Sequence, residues 1–104
     1  MATTTIEEHA DLLTFMVVFT LAPELQDGHI AHLQEVAAEQ AKIDGFVSCA
    51  IHKSEDGTRV MEYIQWRSRA HFDAMRANLK NRPVNPPYKA DPQIYEVVSV
   101  ITAG

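Results

Sequence analysis

The stretch VMEYIQW, residues 60–66, sets a carboxylate, Glu62, inside an apolar and aromatic run. Read as a β-strand, it puts Val60, Glu62, Ile64 and Trp66 on one face and Met61, Tyr63 and Gln65 on the other. An acid held among apolar groups has its charged form disfavoured, and the raised pKa suits a general base. Trp66 supplies a flat ring face and an N–H able to hold an oxygen atom. His52, on the neighbouring strand-like run, titrates near neutrality and is a candidate proton shuttle. Each residue also has a structural reading. Glu62 fits a rim acid paired with Arg59 or Arg67, Trp66 a core residue, and His52 a solvated side chain near a hairpin end. Glu62 separates the two readings: a base needs a cleft and a raised pKa, whereas a structural acid needs an ion pair and no cavity.

Other reactive side chains point to less. His29 and His32 lie three apart, but no third ligand stands at a credible spacing, so no metal is expected. Cys49, the single cysteine, excludes an internal disulfide and suits a reducing compartment. Its apolar strand carries no base or cation nearby in sequence, and it reads as an inert thiol. Nine Lys and Arg against fourteen Asp and Glu give a formal charge of −5. The basic residues are scattered, the nearest cluster being Arg67, Arg69, Arg76, Lys80 and Arg82, so a nucleic-acid partner is not expected. No apolar run is long enough to span a bilayer, and MATTTIEEHA lacks the features of a signal peptide. The expectation is a cytoplasmic protein without a membrane partner, with a mobile tail over 1–10 and a single domain over 11–104.

The elements that would position these residues follow from pattern. LLTFMVVFTLA (12–22) is apolar on both parities, as a strand covered on both faces would be. Pro23 suits a first helical turn, and Ile30, Leu33, Val36, Ala37 and Ala41 form a helical stripe that Asp44-Gly45 ends. FVSCAIHK (46–53) and TRVMEYIQW (58–66) flank SEDG, a hairpin signal. Ser68 is placed to cap a second helix with Phe72, Met75 and Leu79 on one face. KNRPVNPPYKADP, with four prolines in thirteen residues, reads as a loop, and RPVNPPY within it is long enough to act as a lid. QIYEVVSVI (93–101) reads as the last strand. The order βαββαβ is ferredoxin-like, an α+β fold with an antiparallel sheet. Two helices cover one sheet face only, so the second apolar face is expected to pack on another copy.

Asp44-Gly45-Phe46 before strand two, Asp56-Gly57-Thr58 in the hairpin and Gln65-Trp66-Arg67-Ser68 at the end of strand three carry a resemblance. Across roughly residues 10–102 the chain resembles the antibiotic biosynthesis monooxygenase family of dimeric α/β barrels. The resemblance implies a homodimer that oxidises anthrones or hydroquinones of aromatic polyketides to quinones with O2, using neither metal nor flavin. It also implies pocket roles for Trp66 and His52 and a lining aromatic at Phe72, which lacks the hydroxyl of a tyrosine. Glu62 stands where the family's Asn is expected, a departure that supplies a stronger base. Relatives that degrade haem use an Asn in strand one and a His within helix two. Strand one has no Asn, and helix two has His71 only at its start, with Arg76 nearer the expected position, which disfavours that reaction.

Triplet O2 attacks closed-shell organics by single-electron steps, so such an enzyme needs a base, an apolar slot for a flat ring and oxygen-holding donors. The site is therefore expected to comprise Glu62, Trp66 and His52 as catalytic residues, with Phe72, Met16, Met75 and Ile64 binding a small aromatic substrate. The alternatives are a ring-opening oxygenase of the same family, taking loosely bound reduced flavin from a reductase, and a non-catalytic dimeric ligand-binding subunit.

Overall fold

The computed structural model describes residues 2–8, 11–79 and 85–104. Its elements are β1 (Leu13–Leu21), a 3₁₀ turn (Pro23–Leu25), α1 (Gln26–Gln40), β2 (Phe46–Lys53), β3 (Arg59–Trp66), α2 (Arg69–Ala77) and β4 (Tyr88–Tyr95). The strands form one antiparallel sheet in the order β2-β3-β1-β4. This is the ferredoxin-like α+β arrangement expected from the sequence, and it makes β3 a central strand.

Polar contacts set the register of that strand. In the β2–β3 turn, Asp56 Oδ1 accepts from the Thr58 N–H, the Thr58 hydroxyl and the Ser54 hydroxyl. These bonds, the Thr58 N–H first, pull the Asp56 carboxyl down to about 2. Gly57 takes the positive φ of 80° that the turn requires. Gln26, buried at the start of α1, donates through Nε2 to the carbonyls of Ser54 and Arg59, so the helix clamps both ends of the turn. Lys53 therefore faces Val60, Ile51 faces Glu62 and Cys49 faces Ile64, until a bulge between Phe46 and Ser48 absorbs one residue.

Ser68 caps α2 as expected, its Oγ accepting from the His71 N–H. His71 also approaches Asp44 at 3.4 Å and lies against Gly45, which adopts φ 89°. A Cβ at Gly45 would overlap the His71 ring, so this glycine is required both by its backbone conformation and by the helix packed on it.

Two differences from the sequence reading stand out. The last strand is Tyr88–Tyr95 rather than 93–101, pairing with β1 from Leu21↔Tyr88 to Thr14↔Tyr95. Pro92 lies inside it, opposite Val17. A proline is tolerated there because β4 is an edge strand, where a missing N–H leaves no partner strand unsatisfied. The apolar residues beyond it form no strand, and Val98 and Ile101 are exposed. Secondly, part of the N-terminal segment expected as a mobile tail makes defined contacts. Gln65 donates to the Thr5 carbonyl at 2.7 Å and accepts from the Ser48 and Thr4 hydroxyls. Of the expected lid, residues 82–84 lie outside the described residues, and Tyr88 already opens β4.

The helices cover one sheet face. Val17, Phe19, Leu21, Leu33 and Val60 form one buried cluster, and Ile64, Trp66, Phe72 and Met75 form another. The opposite face carries Met16, Val18, Met61 and Tyr63, all half-buried. Among the described residues, no helix is long and apolar enough to cross a membrane.

Candidate active site

Glu62 lies at the centre of β3, between Val17 of β1 and Ile51 of β2, on the helix-covered face. It is 7% exposed. Arg59 and Arg67 are both exposed, and strand alternation sends their side chains away from that face. Among the described residues no cation pairs with Glu62; its one hydrogen bond comes from the Cys49 thiol, 3.5 Å from Oε2. Burial therefore raises the Glu62 pKa, and the Cys49 hydrogen bond opposes the rise only in part. Among the described residues the acid thus has no ion pair.

The cleft is a cavity of about 560 Å³ between the sheet and α2, within the range of roughly 300–1,000 Å³ usual for small-molecule sites. Phe15, Ile64, Trp66, Phe72 and Met75 line it, with Glu62 in the wall. Phe72 is fully buried and packs on Phe15 at 4.9 Å between ring centroids. Trp66 is also fully buried, held edge-on by Phe46 at 5.4 Å. Its Nε1 is enclosed and has no hydrogen-bond partner. A buried N–H left unpaired costs about 1–3 kcal/mol. Arg76 stands at the rim with its guanidinium 5.5 Å from the Phe72 ring centre, and Gln40 approaches from α1.

Of the residues selected from sequence, Glu62, Ile64, Trp66, Phe72 and Met75 come together around this cavity. Met16 and His52 do not. Met16 faces Tyr63 across the β1–β3 ladder, and His52 faces Met61 across the β2–β3 ladder, so both project from the opposite side of the sheet. Strand one is apolar on both parities, and sequence alone does not choose its inner face; Phe15 takes the position assigned to Met16. Cys49, expected as an inert thiol with no base nearby in sequence, is hydrogen-bonded to the acid across the β2–β3 ladder. Counting back from the Asp56-Gly57 turn sets Ile51 opposite Glu62 and Cys49 on the same face, a signal present in the sequence. His29 is occupied structurally, packing against Phe19 at 4.4 Å and Tyr88 at 4.6 Å, and burial lowers its pKa, aided by His32. No cluster suited to a metal ion occurs among the described residues.

A ferredoxin-like sheet whose helix-covered face holds a buried acid beside an aromatic slot makes this an α+β domain with a candidate small-molecule site. A model of the antibiotic biosynthesis monooxygenase family matches residues 13–82. The chain is 42% identical over 80 residues to tetracenomycin-F1 monooxygenase of Streptomyces glaucescens, covering 76% of this chain and 71% of that one. A protein of known structure from Shewanella loihica PV-4 superposes with a TM-score of 0.69 at 20% identity, over 86% of this chain and 96% of that one. SnoaB, a cofactor-independent oxygenase from Streptomyces nogalater, superposes with a TM-score of 0.59 at 19% identity, over 90% of this chain and all of that one, 100%. These two structures share the fold. The chain belongs to the antibiotic biosynthesis monooxygenase family and is a monooxygenase.

The burial of Glu62 has a measurable consequence for stability. Its pKa is higher folded than unfolded, so ionisation disfavours the folded state. Stability falls as pH rises through the ordinary carboxylate range toward the raised native value, and the penalty is full above it. Glu62→Gln removes the penalty. The variant is expected to melt above wild type at about pH 7 and to lose that advantage at about pH 3.5, where both side chains are neutral. A variant that melts lower at about pH 7 while matching wild type in acid would mean that a stabilising ion pair had been broken.

Proposed function

We propose that this chain oxidises an electron-rich polycyclic phenol or anthrone to a quinone with O2, without a metal or flavin. The observation that carries this reading is the buried carboxylate of Glu62, which has no cation beside it among the described residues and stands in the wall of an aromatic cavity lined by Phe15, Trp66 and Phe72. Two relatives support it: one is a tetracenomycin-F1 monooxygenase, and another is a cofactor-independent oxygenase.

For an anthrone, Glu62 takes one proton from the acidic CH2 group. The Trp66 N–H donates to the carbonyl oxygen as it gains negative charge. The resulting anion passes one electron to O2, and the carbon radical and superoxide combine to form a C–O bond. Glu62 returns its proton to the peroxide, then removes the second hydrogen of the same carbon as the O–O bond breaks. A carbonyl forms, and the departing hydroxide takes the proton as water. One oxygen atom ends in the quinone and the other in water. Phe15 and Phe72 hold the ring plane, and the apolar walls keep the carboxylate desolvated and basic.

We also infer that the sheet face bearing Met16, Met61 and Tyr63 packs on the same face of a second copy, since neither helix covers it. Light scattering is expected to give about twice the chain mass of 11.7 kDa; a monomer mass would contradict this. Metal-free and flavin-free protein is expected to consume O2 with an anthrone. Glu62→Gln is expected to lower kcat/KM by at least about 10²-fold, the scale of general base catalysis, with circular dichroism unchanged. Equal uptake by both proteins would remove Glu62 from the mechanism. Uptake only after addition of reduced flavin would replace the cofactor-free reading.

A further inference from the structure

Cys49 is the one group hydrogen-bonded to Glu62 among the described residues, yet it does not line the cavity. It stands behind the carboxylate on β2, next but one to Ile51, which is the cross-strand partner of Glu62. The geometry points to Cys49 as a positioning residue: its S–H holds Oε2 of Glu62, fixes the plane of the carboxylate, and leaves the other oxygen to take the substrate proton. This inference rests on Glu62 being the base.

The chemistry of the thiol agrees with a donor role. Burial first, then the Glu62 charge and the hydrogen bond to it, push the Cys49 thiol up to about 12. It therefore keeps its proton across the working range and serves neither as thiolate nor as nucleophile. Its partner is a carboxylate that burial alone would drive toward the neutral form, so the S–H bond keeps Glu62 more acidic than its surroundings would make it. The donor is weak, which suits a base that must still accept a proton. An arginine at that position would hold the carboxylate ionised and poorly basic.

The other elements around Glu62 offer no competing titratable donor among the described residues. β1 presents Phe15, Val17 and Phe19, and α1 presents Val36 and the neutral Gln40. α2 brings one charge, Arg76, whose guanidinium lies over Phe72 at the rim, and β4 brings only the neutral Gln93 among polar groups.

The test reads Glu62 directly. With ¹³C-labelled glutamate, the side-chain carboxyl of Glu62, assigned by its loss in Glu62→Gln, is titrated in wild type, Cys49→Ala and Cys49→Ser. Cys49→Ala is expected to raise the midpoint by about half a unit to one unit, the scale of one hydrogen bond. Cys49→Ser keeps a donor and is expected to stay at or below wild type. The acid limb of kcat/KM for anthrone oxidation is expected to move with the midpoint. A purely structural Cys49 would lower the melting temperature and leave the midpoint in place; equal midpoints in all three proteins overturn the inference. A shifted midpoint in a protein that takes up no O2 would retain the Cys49 contact and defeat the proposed reaction instead.

Discussion

A carboxylate buried without a cation is the constraint around which this structure is organised. Ionised acids are ordinarily solvated or paired, because removing one from water costs several kcal/mol. Glu62 is shut away from bulk solvent with no arginine beside it among the described residues, only a thiol. The fold tolerates it because β3 is a central strand, locked on both sides by β1 and β2, so the side chain cannot swing out to solvent. Burial there raises the pKa of the Glu62 carboxyl.

The remaining elements serve to keep the space in front of that acid open and apolar. α2 is short, and its position depends on its N-terminus, where Ser68 caps the first turn and His71 lies on Gly45. Anchored there, the helix lays Phe72 and Met75 against Ile64 and Trp66, closing one side of the slot without filling it. Trp66 illustrates the division between packing and chemistry. Its ring is fixed by Phe46, while its N–H is left unpaired inside the wall.

What is legible in the sequence is what local rules fix. Alternation in VMEYIQW places Glu62 beside Ile64 and Trp66, the Asp56-Gly57 turn marks the hairpin, and Ser68 marks the start of α2. Misreadings arise where the sequence carries two equivalent solutions. Strand one is apolar on both faces, so Met16 and Phe15 are indistinguishable until pairing chooses between them. His52 lies one residue from Ile51, and that single step reverses its face. The last strand shifts toward the C-terminus when proline is read as a strand breaker, a rule that fails at a sheet edge. The Cys49 contact joins residues thirteen apart and appears only when register is counted back from the turn.

In the proposed reaction, Glu62 removes a proton from a flat phenolic or anthrone substrate inside this cavity. Mixing protein and an anthrone without O2 isolates that step, because the deprotonated ring absorbs at longer wavelength than the neutral form. With Glu62 as the base, the band of the anion appears on binding to wild type and is absent with Glu62→Gln, although the neutral anthrone still binds. An anion band of equal strength in both proteins would contradict the claim, since the proton would then be taken by another group.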